Sequence, residues 1–471
     1  MGVIQNVKGY IKSVFSEQEN IPKEYQSYYK SRVIKDKTYI CHAPFSNMYF
    51  NSLGDVANCW LTFDQPEKYS EDTTISDIWN GERFSQLREN IKNFDLEKRC
   101  QKCNNYIKNS NFTNVLAKAY DNDYPLGDFP TMMEFELSNT CNLECTMCTG
   151  LLSSSIRANR EHLPALKSPY GAKFVEELKQ FIPHLYEARF NGGEPFLIKI
   201  YYDIWDQFIA LNPNCRMVIA TNGTTLNKRA KSILEKGNFH INLSIDSLIP
   251  ERYSEIRVNG HLDKVLENFL YFKEYCQKNG RSICIMINPM RNNWEEMPEF
   301  VKFCNHHNVH LWFNSIMYPE DLSIWKLSYE ELKGIYEKLS SVTFHYKLKY
   351  KKNIFDYNVE TYKNLVFNQI KNWMDDAHLR TTNQEGTLEN SEDFKKLFIH
   401  KLEEYDSFPQ NMNKVRSEVL ETTLELETRL NEAESIQKMY QILYNAPIDI
   451  IIENIRNNEV DVLLQKLKTA M

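Results

Sequence analysis

Six short apolar runs, each followed by a stretch with helical periodicity, predict an α/β protein built on a parallel sheet. The runs cover residues 133–139, 187–193, 216–222, 239–246, 282–290 and 309–316. Val, Ile, Phe and Leu dominate them, as in strands covered on both faces. Amphipathic stretches at 173–181, 203–211, 226–236, 265–278 and 295–306 alternate with them. Periodicity leaves two arrangements open, an open doubly wound sheet and an incomplete barrel. Either one gathers function at the carboxyl ends of the strands. Those ends are polar here: Ser138-Asn-Thr140, Asn191-Gly-Gly-Glu194, Thr221-Asn-Gly223, Ser244-Ile-Asp246 and Asn288. A Gly-Gly-Glu and a Thr-Asn-Gly exceed what a turn alone requires.

The flanks read differently. Residues 1–30 are expected as a helical lead-in and 31–110 as a small irregular cysteine-rich domain. The segment 111–130 contains Asp121-Asn-Asp-Tyr-Pro-Leu-Gly-Asp-Phe-Pro130 and reads as a turn-rich linker. The strand–helix domain spans 131–325. From 326 to 471 the strands cease. Helices are expected there at 327–340, 358–377, 392–405 and 413–443, with a polar interruption at 380–390.

Composition excludes several classes. The 471 residues carry 56 Lys plus Arg against 63 Asp plus Glu, so the net charge of −7 gives no basic footprint for nucleic acid. No apolar run reaches the ~18 residues of a membrane-spanning helix. Residues 1–20 have scattered charges and lack the apolar centre of a secretory signal. The expectation is a cytoplasmic protein without nucleic-acid or membrane partners. A reducing compartment disfavours disulfides, so the 11 cysteines raise the question of metal or redox use.

Cys215, Cys276, Cys284 and Cys304 stand alone in apolar or helical contexts and are expected as small buried hydrophobes. The other seven form two sets. Cys141-Asn-Leu-Glu-Cys145-Thr-Met-Cys148 is a C-x3-C-x2-C run just past the first strand. Zinc in a closed structural site takes a fourth protein ligand, and the nearest histidines, His162 and His184, are remote in sequence. A cubane cluster is content with three thiolates and keeps one iron open for a ligand.

Here the sequence resembles the radical S-adenosylmethionine enzymes. The likeness covers roughly 131–319 and rests on several separated motifs. They are the C-x3-C-x2-C run, Asn191-Gly-Gly-Glu-Pro195, Thr221-Asn-Gly223, Ser244-Ile-Asp246 and Tyr253-Ser-Glu-Ile-Arg257. The resemblance implies a partial (β/α)6 parallel TIM-like barrel, which matches the six runs. It implies a [4Fe–4S] cluster on Cys141, Cys145 and Cys148, with S-adenosylmethionine chelating the fourth iron. Gly192 and Gly193 would let backbone approach the methionyl part, with their carbonyls or Glu194 accepting from its ammonium. Arg257 would pair with its carboxylate. Ser244, Asp246 and Asn222 would bind the ribose or neighbouring groups. The implied reaction is reductive cleavage to a 5′-deoxyadenosyl radical, which abstracts hydrogen from a substrate. One departure stands out: the family's aromatic residue before the third cysteine is here Met147, a polarizable side chain that can lie against adenine.

Upstream, Cys41 and Cys59 enclose Gly54 and are followed by Cys100-Gln-Lys-Cys103. Four thiolates close around zinc or around a cluster. The C-x12-G-x4-C…C-x2-C arrangement resembles the SPASM domain and its shorter Twitch form, which hold auxiliary clusters. Those domains normally follow the barrel, and here the segment precedes it. Four cysteines suffice for one auxiliary [4Fe–4S] cluster, fully ligated by protein. That favours electron transfer or bracing over direct substrate binding.

The resemblance implies an electron donor such as flavodoxin or ferredoxin and leaves three functions in play. One is peptide or protein modification by oxidation, crosslinking or epimerisation. The second is dehydrogenation or epimerisation of a small carbohydrate or aminocyclitol. The third is a non-catalytic metal-binding scaffold, against which the intact Gly-Gly-Glu and loop cysteines speak. A molybdenum-cofactor cyclase is not expected, because the chain ends Lys468-Thr-Ala-Met471 instead of Gly-Gly. No leader-binding domain is recognisable in 1–30, and the helices after 326 carry no cluster with evident chemistry.

Overall fold

The computed structural model describes residues 21–34, 37–62, 66–97, 99–108, 110–112, 115–384, 391–404, 412–430, 432–445, 451–452, 455 and 460–470. Most of the expected lead-in and part of the 380–390 interruption therefore lie outside the described residues. The chain divides into two compact units: residues 1–244 with 257–283, and residues 245–256 with 284–471.

The first unit holds seven strands: β1 (Asn47–Phe50), β2 (Asp55–Ala57), β3 (Glu67–Lys68), β4 (Met132–Phe135), β5 (Glu187–Phe190), β6 (Arg216–Thr221) and β7 (Phe239–Ser244). Their order is β3-β2-β1-β4-β5-β6-β7, and the parallel sheet does not close into a barrel. β1, β4, β5, β6 and β7 are parallel along that order, whereas β2 and β3 are antiparallel additions. The four-strand βα core β4–β7 is thus extended by a meander, β1–β3, from the cysteine-rich segment. The sequence reading did not foresee that β1 joins this sheet. Its four residues are too short to show a period.

Register explains the two faces. Tyr49, Glu134, Arg189, Val218 and His240 are successive partners across β1, β4, β5, β6 and β7. One residue on, Phe50, Phe135 and Phe190 line up on the opposite face. Their rings stack, at 5.9 Å for Phe50–Phe135 and 5.1 Å for Phe135–Phe190. Helices Ala172–Phe181 and Lys199–Leu211 cover this face with Phe174, Trp205 and Phe208, all fully buried. Such aromatic clusters add edge-to-face and stacking terms to the burial itself.

The other face is buried but polar. Arg189 bonds Glu187 at 2.6 Å and reaches Glu134 at 3.5 Å, and Arg216 bonds Glu187 at 2.7 Å. Buried charges persist only when paired in this way.

In the cysteine-rich segment, helix Ile75–Asn80 starts with a reciprocal Thr74–Asp77 capping box. Helices Lys23–Ser31 and Gln101–Lys108 share one small core through Tyr25, Tyr28, Tyr29, Ile40, Ile91 and Ile107. Arg32 anchors the segment to Asp121 of the expected linker at 2.5 Å.

In the second unit, β8 (Ile283–Ile287) pairs in parallel with β9 (His310–Phe313), and helix Met297–His307 connects them. Asn358, buried on helix Lys352–Lys363, accepts from Leu311 N–H at 2.9 Å and donates to the Val309 carbonyl at 3.0 Å. This side chain satisfies backbone groups along β9 that no strand pairs. The helix expected at 358–377 is a longer helical run, 352–384, with a π-helical turn at Asn364–Ile370. The helix expected at 413–443 is two, Met412–Leu430 and Ala433–Asn445. Folding back lets Val419 and Leu426 share a core with Met439, Tyr440 and Phe398, which one straight helix would separate. No described helix is long and apolar enough to cross a membrane.

Phe135 sits at the centre of the aromatic stack, so Phe135→Ala should cost about 3–5 kcal/mol, read from the urea unfolding midpoint.

Candidate active site

The cysteine loop leaves the end of β4 and is tied down at several points. Cys141 N–H donates to Ser154 Oγ at 3.1 Å, and Ser155 Oγ donates to the Cys141 carbonyl at 2.8 Å. Ser153 caps the short helix Ser154–Asn159 and donates to the Leu143 carbonyl at 2.6 Å. Glu144 N–H bonds the Val258 carbonyl at 3.0 Å, which brings the Arg257 segment onto the loop. The Arg257 guanidinium then lies 4.0 Å from Cys145 Sγ.

The three thiols lie near enough to influence one another's ionisation. Burial pushes the Cys141 thiol up to about 11, with Cys145 and Glu194 adding to the effect while Leu143 N–H and Arg257 oppose it. The hydrogen bond that the Cys148 thiol makes to Cys145, together with burial, holds Cys148 well above its ordinary range. Thiols raised like this ionise when a metal takes the place of the proton. Thr146 Oγ1 and Thr149 Oγ1, flanking Met147 and Cys148, are buried without a hydrogen-bond partner. Buried hydroxyls in that state cost free energy unless something accepts from them. The donor set therefore suits a cluster with exposed sulfurs. Met147 is partly buried in the turn between Cys145 and Cys148.

The Gly-Gly-Glu segment packs directly on the entrance to this loop. Gly193 N–H bonds the Ser138 carbonyl at 3.0 Å, and Glu194 N–H bonds the Thr140 carbonyl at 2.8 Å. A Cβ on Gly193 would fall 2.3 Å from Thr140 O, and one on Gly192, at φ +100, would fall 2.6 Å from Ser138 O. Both are backbone atoms, which cannot yield cheaply. The glycines thus serve the approach of two chain segments, a requirement distinct from approach to a ligand.

Glu194 is fully buried and clamps two strand ends. It accepts from Asn222 N–H at 2.8 Å, Thr221 Oγ1 at 2.8 Å and Phe196 N–H at 3.1 Å. Burial pushes its carboxyl up to about 7 against these donors and Arg257. Asn222 Nδ2 lies 3.9 Å from Cys141 Sγ and donates to Asn142 Oδ1 at 3.2 Å. Cys141, Cys145, Cys148, Gly192, Gly193, Glu194, Asn222 and Arg257 are therefore brought together. Ser244 ends β7, partly buried. Asp246 belongs to the second unit, where its buried carboxylate accepts from Asn288 N–H at 2.7 Å and Asn288 Nδ2 at 3.0 Å.

Cys41, Cys59, Cys100 and Cys103 also come together, lining one cavity of about 50 Å³ with Arg99, Lys102 and Tyr120. That space holds more than one water-sized group. Burial, followed by Cys100, Cys59 and Cys103, raises the Cys41 thiol strongly, and burial pushes Cys59 up to about 12. Backbone N–H groups of Ala43, Leu61, Leu116 and Ala117 nevertheless point at Cys41, Cys59 and Cys103 and favour their thiolates. Hydrogen bonds to sulfur are a main control of cluster potential. Among the described residues, no three His, Cys, Asp or Glu side chains are gathered closely enough for a single metal ion.

Two acids, Glu134 on β4 and Glu136 just past its end, escaped the sequence reading. Glu134 is fully buried, and partly buried Glu136 accepts from Tyr49 Oη at 2.6 Å. The signal was present as alternation: Met132-Met-Glu-Phe-Glu-Leu137 places both acids on one strand face.

Comparison with known proteins agrees with the two cysteine sets. Residues 135–304 match the radical SAM superfamily, and residues 41–104 match SPASM, an iron–sulfur cluster-binding domain. Residues 135–304 thus read as a radical SAM enzyme domain, preceded by a SPASM domain at residues 41–104. The first implies a [4Fe–4S] cluster with S-adenosylmethionine, and the second an auxiliary iron–sulfur cluster. Curated relatives include the GTP 3′,8-cyclases of Limosilactobacillus fermentum and Lactiplantibacillus plantarum, 26% and 25% identical over 238 residues. These alignments cover 49% of this chain and 67% of each relative. Among solved structures, Streptococcus suis SuiB bound to S-adenosylmethionine is 19% identical, with a TM-score of 0.34 over 66% of this chain and 69% of that one. Native anSMEcpe with bound AdoMet is 19% identical, with a TM-score of 0.34 over 50% of this chain and 61% of that one.

Gly193→Ala should disrupt the loop entrance, so that reconstituted protein loses about four irons per chain by iron analysis. Glu136 should show in stability. Burial pushes its carboxyl up to about 7. A folded value above the unfolded one means the fold gains from this proton as pH falls through about 7 toward about 4.5. Wild type should therefore gain thermal stability relative to Glu136→Gln between pH 8 and pH 6, measured by parallel melts on the two proteins.

Proposed function

We propose that the chain is a radical SAM enzyme that oxidises a peptide or protein substrate. When bound, the cluster and S-adenosylmethionine together supply a 5′-deoxyadenosyl radical that takes a hydrogen atom from substrate. Cys141, Cys145 and Cys148 would hold three irons. Arg257, beside Cys145, would orient the methionyl carboxylate, and the Gly192 and Gly193 carbonyls its ammonium. Glu194 has three donors already and would act by fixing Thr221 and Asn222. Ser244 and Asp246 would bind the ribose side, and Met147 the adenine. Cys41, Cys59, Cys100 and Cys103 would hold a fully ligated auxiliary cluster as acceptor for the electron left on the substrate.

The observation that carries this reading is the pair of cysteine sets in one compact unit, joined through the β1–β4 pairing. A peptide is favoured by the SPASM match, because related auxiliary-cluster enzymes modify peptides. The carbohydrate or aminocyclitol alternative shares the same machinery. A nucleotide reading is favoured by the name of the curated relatives, GTP 3′,8-cyclase.

Anaerobically reconstituted protein should carry about eight irons, falling to about four in Cys100→Ala/Cys103→Ala. With reductant and S-adenosylmethionine it should release 5′-deoxyadenosine, and Cys145→Ala should abolish that product; persistence would remove the cluster assignment. Turnover of GTP coupled to 5′-deoxyadenosine would favour the nucleotide reading. Loss of hydrogen from a short peptide encoded beside the gene, read by mass spectrometry, would support the peptide.

A further inference from the structure

A buried polar chain leads from the four-cysteine cavity into the sheet. Tyr120, which lines that cavity, donates from Oη to Glu134 Oε1 at 3.1 Å. Asn47 Nδ2 donates to the same oxygen at 2.8 Å and to the carbonyl of Asn58, another cavity residue, at 3.0 Å. The second oxygen, Oε2, meets the Arg189 guanidinium at 3.5 Å. That guanidinium is committed to Glu187, at 2.6 Å. Glu134 is thus a fully buried carboxylate with two neutral donors on one oxygen and a distant, shared cation on the other.

We propose that Glu134 takes up a proton when the auxiliary cluster is reduced, with Tyr120 as the hydroxyl that couples the two. The proposal rests on the auxiliary-cluster reading above and deepens it. One electron enters the four-cysteine site, from the substrate radical during turnover or from a reductant in a titration. One proton from water goes to Oε2 of Glu134, giving the neutral acid. Charge in the buried region is then unchanged.

The physical reason is electrostatic. A negative charge added to a cavity in a low-dielectric interior raises the proton affinity of a nearby carboxylate. Glu134 already leans toward its neutral form through burial, which Arg189, Tyr120 and Asn47 partly offset and Glu187 reinforces. Tyr49 on β1 and Glu136, just past the end of β4, also face this region. Neither supplies a positive charge, so Arg189 is the one cation among these groups. Cys59 senses Glu134 as a negative neighbour, so the influence runs in both directions.

The test is the potential of the auxiliary cluster in reconstituted full-length protein. It is followed by electron paramagnetic resonance in redox titrations from about pH 6 to about pH 8.5. Adding S-adenosylmethionine shifts the signal of the other cluster and tells the two apart. Between the two proton affinities of Glu134 the wild-type potential should fall as pH rises, approaching about 59 mV per pH unit, the equivalent of a tenfold change for one electron. Glu134→Gln should abolish that slope. Tyr120→Phe keeps the carboxylate but removes a donor to its charged form, so the sloping window should move to higher pH. A wild-type potential independent of pH overturns the proposal. So does an unchanged slope in Glu134→Gln, or an unmoved window in Tyr120→Phe. An iron count of about four, unaffected by Cys100→Ala/Cys103→Ala, removes the auxiliary cluster itself and with it both readings.

Discussion

The close approach of Gly192 and Gly193 to the backbone of residues 138–140 is the constraint on which the site depends. Two strand ends, β4 and β5, exchange hydrogen bonds there through Ser138 and Thr140 carbonyls. Any side chain on Gly193 would enter that backbone. With the contact made, Thr140 fixes where Cys141 begins, and Glu194 is carried inward to fasten Thr221 and Asn222 at the end of β6. The cysteine loop is therefore positioned by backbone geometry on three adjacent strands. Its Cys141 and Cys148 thiols, raised by burial and by Cys145, are prepared to exchange protons for metal.

The SPASM segment is built into the same sheet. β1 lies between Cys41 and Cys59 and pairs in register with β4, the strand that feeds the cysteine loop. This gives the two cysteine sets a common rigid element despite the inverted order of the domains. It also explains why the polar face of β4 is occupied from the upstream side. Asn47 and Tyr49 of β1 meet Glu134 of β4 and Glu136 just past its end. A buried carboxylate is costly without partners, and the upstream segment supplies them.

Much of the site was legible in the chain. The six runs mark the six strands from β4 to β9, because apolar β-branched and aromatic residues fit a covered pleated surface. Of the four cysteines expected to pack as small hydrophobes, Cys215, Cys276 and Cys304 are buried in the core, whereas Cys284 is only partly buried. Less legible were features that need partners distant in sequence. The four residues of β1 carry no periodic signal, and the break near residue 431 depends on which helices share a core.

The sequence by itself determined the chemistry: two thiolate sets, a Gly-Gly-Glu at a strand end, and an α/β framework to hold them. Local residue type and spacing are enough for that, because metal ligation and strand formation are set by short-range chemistry. Only the tertiary structure decided that the glycines answer to residues 138–140, that Glu194 ties strand ends, and that Tyr120 links the four-cysteine cavity to Glu134. Those assignments depend on strand order and register, which set contacts between residues far apart in the chain, such as Asn47 and Glu134, 87 positions apart. No local pattern encodes such a pairing.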